Sequence, residues 1–234
     1  MNHLGCGAMN SQAKLALALA MVLVIAVAAI LLSGEGDDAE ERTSSEANAA
    51  TAAGCEFVEE AEPKDLALAP PEADAPTAST VVFETNCGSF TVTLDAEDAP
   101  QTAASFEYMA NEGVYDSVGF QRIAPGFVVQ GGDPTGTQSG DAGYSITEKP
   151  PADVAYTKGL VAMAKGSVEP PGASGSQFFV VTGADAGLPP DYAVVGEVTE
   201  GLETIEKIEA VGTSDPSGDG PAAAPVVISS ATAE

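Results

Sequence analysis

The chain has one histidine, His3, no tryptophan, and 8 Lys and Arg against 35 Asp and Glu, a formal charge of −27. So few cations argue against nucleic acid, whose binding rests on Lys and Arg meeting phosphates. They argue equally against docking on anionic lipid. The single imidazole lies ahead of a long apolar run. If that run spans a membrane, everything beyond it lacks histidine, which removes Ser–His and Cys–His nucleophiles and His-ligated zinc. A domain so poor in reactive side chains either performs chemistry that needs no covalent intermediate, metal or cofactor, or simply binds.

Cysteine is scarce too, with three in 234 residues. Cys6 precedes the apolar run; Cys55 and Cys87 follow it. The run, Leu15 to Leu32, is eighteen residues without a charge. At 1.5 Å rise per residue it would cover about 27 Å, close to a hydrocarbon core of about 30 Å. It predicts a single transmembrane helix after a short tail at 1–14. The alternative is a cleaved signal peptide and a secreted protein, but no small-x-small site follows the run. Lys14 and the terminal amine precede it and Arg42 is the only cation soon after it, which favours the amino terminus inside and the bulk of the chain outside the cell, although acids count little in such orientation. An oxidising exterior permits a Cys55–Cys87 disulfide stapling the linker to the folded domain, against two free buried thiols.

Residues 33–78 hold 13 acids and 2 bases among Ala, Ser, Thr and Pro. That composition predicts a disordered, self-repelling tether. From 79 to 234 the character changes: 12 of the 13 aromatics lie between Phe83 and Tyr192. Short β-rich runs punctuated by turns predict strands near 80–85, 89–94, 118–123, 127–131, 160–164, 177–182, 193–198 and 225–230. Phe90, Val92 and Leu94 alternate with Ser89, Thr91 and Thr93, so that strand buries one face. Asn86-Cys87-Gly88 makes a hairpin turn. Asp98 and Pro100 open one helix that Gly113 closes; a second runs from Leu202 to Ala210. Eight short strands and two helices predict a mainly β fold, a closed eight-stranded antiparallel barrel capped by the helices.

The most informative stretch is FQRIAPGFVVQGGDP, from Phe120 to Pro134. Arg122 is the only arginine after residue 42, and it sits in a strand among Phe120, Ile123 and Phe127. A lone strand arginine ordinarily reaches out to solvent. Among aromatics, its five fixed donors and permanent charge make it a durable hydrogen-bond donor beside an apolar surface. In GASGSQFFVV, Gln177 and Phe179 share one strand face and Phe178 and Val180 the other. One pair fills the core; an outward Gln beside an outward Phe is a plausible binding face.

These stretches, with MAKG at Met163–Gly166 and LPPDYAVVGEV at Leu188–Val198, resemble the cyclophilin-type peptidyl-prolyl cis–trans isomerases. The likeness runs from about Val81 to Ser230 and is strongest to membrane-tethered, exported bacterial forms. It implies an eight-stranded antiparallel barrel with two helices. It implies that Arg122 is the catalytic arginine, and that Phe127, Val128, Phe179 and Leu188 wall a proline pocket. Gln130 and Gln177 would orient the substrate backbone and the arginine. Ala164, Lys165 and Gly166 would lie along an extended substrate. Tyr192 stands where many members carry His. Gln121 replaces a usual histidine, Gly187 falls where well-known eukaryotic members have Trp, and the loop Gln138–Ala142 is less glycine-rich. The expected partners are proline-containing polypeptides, met by a monomer.

Such chemistry suits the composition. Rotation about a peptide bond is opposed by about 18–20 kcal/mol of lost resonance, and prolyl bonds interconvert over tens to hundreds of seconds. No bond breaks, so no nucleophile is required. The alternative is a proline-peptide binding module without turnover. The catalytic reading asks the guanidinium of Arg122 to face the Phe-lined hollow, unclaimed by any carboxylate. DPSGDG, Asp215 to Gly220, resembles a calcium loop but has Val226 where the bidentate Glu belongs, so it reads as a turn. GGDPTG, Gly131 to Gly136, lacks the Lys and helix of a phosphate cradle. The charge of −27 reads as a solvating surface, with adaptation to saline surroundings as the sharper idea. Unfolding midpoints measured across a salt series are expected to rise with salt; no gain would remove that idea.

Overall fold

The computed structural model describes residues 42–234. The apolar run at 15–32, the tail at 1–14 and Cys6 lie outside the described residues. Among those described, no helix is long and apolar enough to cross a membrane. Glu46–Glu234 form one compact unit.

The elements are α1 (residues 42–53), β1 (Thr80–Thr85), β2 (Gly88–Leu94), α2 (Pro100–Asn111), β3 (Val118–Gly119), β4 (Arg122–Ala124), β5 (Val128–Gly131), β6 (Ile146–Thr147), β7 (Leu160–Met163), β8 (Ala173–Ser174), β9 (Phe178–Val181), β10 (Val194–Glu200), α3 (Leu202–Val211) and β11 (Val227–Ala233). Nine strands form one antiparallel sheet in the order β3-β11-β1-β2-β10-β7-β9-β5-β4; β6 and β8 pair separately. The two end strands, β3 and β4, are consecutive in the chain and separated only by Phe120-Gln121. The expectation of a closed eight-stranded barrel is therefore corrected: the main sheet has nine strands and no ladder joins its two ends. The strand predicted over 118–123 is split, and the chain itself, rather than a hydrogen-bonded ladder, links the two ends of the sheet. Phe120 turns its N–H to Val226 O (2.8 Å) at the break.

The core follows from alternation. Phe83 lies opposite Phe90 across the β1–β2 hairpin, and the two rings stack at 4.8 Å. Phe106, Tyr115, Phe120 and Phe178 close around them. Each such ring, taken fully out of water, contributes about 1.5–3 kcal/mol. From α2, Phe106, Met109 and Ala110 face this core. Neither Asp98 nor the N-cap residue Ala99 caps that helix with its side chain. Its first amides are met from a distant loop: Glu148 accepts from the N–H groups of Gln101 (3.2 Å) and Thr102 (2.6 Å). A carboxylate there satisfies orphan donors and the helix dipole together. From α3, Ile205 and Ile208 are fully buried.

The composition of 33–78 predicts a tether, yet from Glu46 onward the chain belongs to the same compact unit as the domain. Residues 42–53 are helical, with Ala50 fully buried. Cys55 and Cys87 form a disulfide. An extended strap then runs to Ser79. Lys64 N–H donates to Pro134 O (2.7 Å) and Leu68 N–H to Ala142 O (2.8 Å). Lys64 Nζ donates to the carbonyls of Gly113 (3.0 Å), Val114 (3.1 Å) and Asp116 just beyond α2. Burial lowers this lysine's pKa, with Asp116 opposing. Gly143 has φ +100°, and a Cβ there would meet Ala67 Cα at 2.7 Å, so the strap passes where only glycine fits. Thr77 is held by Glu107, whose buried carboxylate accepts from its N–H and hydroxyl. Composition failed here because order comes from few anchors: Phe57, Leu66 and Leu68 pack on the core, and one covalent bond fixes the strap's start.

Replacing both Cys55 and Cys87 by Ala should lower stability by about 2–4 kcal/mol, the usual effect of losing a closed loop of this size. Denaturant unfolding measures the loss, and hydrogen exchange should show residues 55–78 opening first.

Candidate active site

The site is one side of three adjacent strands at the β4 end of the nine-stranded sheet. Arg122 on β4 lies opposite Gln130 on β5, and Gln130 lies opposite Phe179 on β9. The adjacent row, Ile123, Val129 and Val180, is fully buried in the main core. Period-two alternation therefore sends Arg122, Gln130 and Phe179 together to the opposite face. That face carries its own apolar cluster. Ala124, Val128, Tyr156, Leu160, Ala162, Phe179 and Val181 are its buried members, and Phe127, Ala164, Leu188 and Tyr192 pack against them. The pocket residues expected from sequence, Phe127, Val128, Phe179, Leu188 and Tyr192, are thus gathered in one place. Phe179 is 4% exposed rather than an open outward ring, because Tyr192 meets it edge-on at 5.5 Å. Tyr156, which sequence reasoning missed, holds that lid: its hydroxyl donates to Tyr192 O (2.7 Å) and accepts from Tyr192 N–H (3.1 Å). Burial raises the Tyr156 pKa, so the phenol stays intact.

A line of amides backs the arginine. Arg122 Nη1 donates to Gln130 Oε1 (3.1 Å), Gln130 Nε2 to Gln177 Oε1 (3.0 Å), and Gln177 Nε2 to Gly140 O (3.0 Å). Gln121 also donates to Gln177 Oε1 (3.0 Å). The guanidinium carbon lies 5.8 Å from the centroid of the Phe127 ring. The segment 164–166 borders the same cluster. Ala164 N–H donates to Gln177 O (2.8 Å), Gly166 N–H donates to the Glu169 carboxylate, and Lys165 Nζ stands 5.4 Å over the Tyr192 ring. The amides of Ala164 and Gly166 are therefore already used within the protein.

One expectation is overturned. The arginine is not unclaimed: Nε donates to Asp219 Oδ1 (2.6 Å) and Nη2 to Asp219 Oδ2 (2.7 Å). The pairing raises the arginine's pKa above its ordinary value, and the hydrogen bonds from Arg122 hold the Asp219 carboxyl below its own, with burial opposing both. A depressed carboxyl pKa stabilises the fold above the ordinary carboxylate range; that contribution disappears as pH falls through the lower, folded value. Asp219 belongs to DPSGDG, read from sequence as a mere turn. Its one signal was that a chain this acidic seldom leaves a half-buried cation unpaired. Three of the fork's five donors are engaged among the described residues, leaving one N–H on each Nη group.

A sequence profile described as "Cyclophilin type peptidyl-prolyl cis-trans isomerase/CLD" matches residues 80–233. The chain belongs to the cyclophilin-type peptidyl-prolyl cis–trans isomerases. Peptidyl-prolyl cis-trans isomerase-like 1 of Aspergillus oryzae is 38% identical over 141 residues, 58% of this chain and 86% of that protein. A probable peptidyl-prolyl cis-trans isomerase A of Mycobacterium leprae is 33% identical over 170 residues, 66% of this chain and 91% of that protein. The cyclophilin-type isomerase of Cryptosporidium parvum, crystallised in the presence of the dipeptide Ala-Pro, aligns with TM-score 0.60 and 28% identity over 66% of this chain and 98% of that one. The protein is accordingly a cyclophilin, an enzyme that accelerates rotation about X–Pro bonds, with a cyclophilin-like, mainly β fold carrying helices.

In this cyclophilin Gln177 is the junction between the arginine, Gln121 and the 140 loop. Gln177→Ala should reduce kcat/KM about tenfold, equivalent to about 1.4 kcal/mol, while the chain still folds. A protease-coupled proline-peptide assay with parallel circular dichroism checks it.

Proposed function

We propose that this cyclophilin acts outside the cytoplasm on exported or cell-surface polypeptides, tethered to the membrane by Leu15–Leu32, as in exported bacterial forms; secretion after cleavage is the alternative. The apolar run and the Cys55–Cys87 bridge, which an oxidising compartment permits, support this reading. Within the site, the walls Phe127, Val128, Phe179, Leu188 and Tyr192 hold the proline ring. Gln130 and Gln177 orient the fork, and 164–166 lies beside an extended substrate. Arg122 is the catalytic residue.

One observation carries the mechanism. The Arg122 fork stands over the Phe127 edge of the apolar cluster, with one N–H on each Nη group uncommitted among the described residues. A planar amide nitrogen has its lone pair in conjugation and accepts poorly. As the bond twists, conjugation is lost and the lone pair localises on the prolyl nitrogen. A donor placed there bonds the twisted state and not the planar one. Only such differential binding raises the rate. The pocket holds the ring while the preceding carbonyl swings, and a site that excludes water strengthens the contact. The Asp219 pair occupies the Nε edge and so does not block this role.

Arg122→Ala should lower kcat/KM by about a hundredfold or more, or about 2.7 kcal/mol and upward. Arg122→Lys should not restore it, since an ammonium lacks the planar fork. Full activity in Arg122→Ala would take the catalytic role from Arg122; a wild-type protein that leaves the uncatalysed rate unchanged would transfer the case to the non-catalytic binding module.

A further inference from the structure

Asp219 lies 97 residues from Arg122 in the chain, yet both oxygens of its carboxylate bond that side chain. The pairing is built rather than incidental. Next to Asp219, Gly220 exchanges backbone hydrogen bonds with Ile123, the neighbour of Arg122: Ile123 N–H to Gly220 O (2.9 Å) and Gly220 N–H to Ile123 O (3.3 Å). The loop is shaped from within. Asp215 accepts from Ser217 N–H (2.8 Å), Ser217 Oγ donates to Asp219 O (3.3 Å), and Thr213 Oγ1 donates to Pro221 O (2.7 Å). A Cβ at Gly220 would meet Asp215 Cβ at 2.6 Å, so the turn closes as it does only with glycine there. A backbone bridge on one side and a two-toothed ion pair on the other set Asp219 at a fixed distance from β4.

We propose that Asp219 is a positioning residue for isomerisation, holding the guanidinium plane of Arg122 so that its remaining N–H groups aim at the twisted prolyl nitrogen. The proposal rests on Arg122 being the catalytic donor. Arginine has a long, rotamer-rich stem, and an unheld fork samples many directions. Gln130 grips Nη1 alone, which leaves rotation about that single contact. Asp219 adds two parallel bonds on another edge, and three contacts define a plane. An ordinary exposed pair contributes little to stability. Here the effect falls on orientation, where small misplacement lowers rates steeply. Because Asp219 is not among the residues of the apolar cluster, its loss should fall on kcat and leave KM nearly unchanged.

The test compares Asp219→Asn, Asp219→Ala, Asp219→Glu and Arg122→Ala, read by steady-state isomerisation of a proline tetrapeptide and by the Arg122 Nε–H resonance in NMR. Asp219→Asn and Asp219→Ala should lose about ten- to a hundredfold in kcat, within the range a 1 Å misplacement produces, with KM changed by less than about twofold. Their Nε–H signal should broaden through exchange with water. Asp219→Glu, which can still chelate, should recover most of kcat and the resonance. If Asp219→Asn and Asp219→Ala keep wild-type kcat while Arg122→Ala is inactive, the ion pair only ties down a loop and the proposal fails. A kcat above wild type in either variant also overturns it, since the carboxylate would then restrain the arginine. Undiminished activity in Arg122→Ala sinks the catalytic reading itself, a different result.

Discussion

The register of four strands, β4, β5, β9 and β7, is the constraint on which the site depends. Arg122 opposite Gln130 opposite Phe179 opposite Ala162 forms one row; Ile123, Val129, Val180 and Val161 form the next. The second row is fully buried. A slip of one residue would drive the guanidinium into the aromatic core and expose four apolar residues. The same burial that holds the sheet together therefore holds the row of Arg122, Gln130 and Phe179 on the other face. Function is written on the back of the core.

A chain with so few cations and one histidine is well matched to a reaction of rotation. Isomerisation about an imide asks for shape and for one donor that strengthens its bond as conjugation is lost. The shape comes from rings that also carry packing energy: Phe179, Tyr156 and Tyr192 contact one another at 5.5–6.4 Å. The Arg122 guanidinium is held by one carboxamide and one carboxylate, groups that need no imidazole or metal. An acidic chain supplies the carboxylate readily; what the fold adds is its placement.

The strap shows how a segment of tether-like composition becomes structure. Residues 55–78 bury little, but they meet backbone groups the domain would otherwise leave to water. The carbonyls beyond α2 receive Lys64 Nζ, and Pro134 and Ala142 receive the amides of Lys64 and Leu68. Pro134 and Ala142 flank the loop whose Gly140 carbonyl receives Gln177. The strap thus braces, from outside, the loop that completes the line of amides behind Arg122. Local composition is blind to such partners, because each lies tens of residues away.

By itself the sequence determined what depends on local pattern. β-rich runs between turn signals placed the predicted strands to within a few residues, except that 118–123 is two strands and the short β6 and β8 went unread; both helices were placed as well, and parity placed Gln177 and Phe179 on one face. Motifs carried the family and with it the expectation that Phe127, Val128, Phe179 and Leu188 gather, as they do in one apolar cluster. Tertiary structure alone decided three things: that the strand at 118–124 breaks so that chain links the sheet's two ends, that Tyr156 holds Tyr192, and that Asp219 holds Arg122. The last two join residues far apart in the chain. Periodicity and composition report only which face a side chain prefers and whether a segment resembles a turn; which distant turn arrives beside which strand is set by packing of the whole sheet.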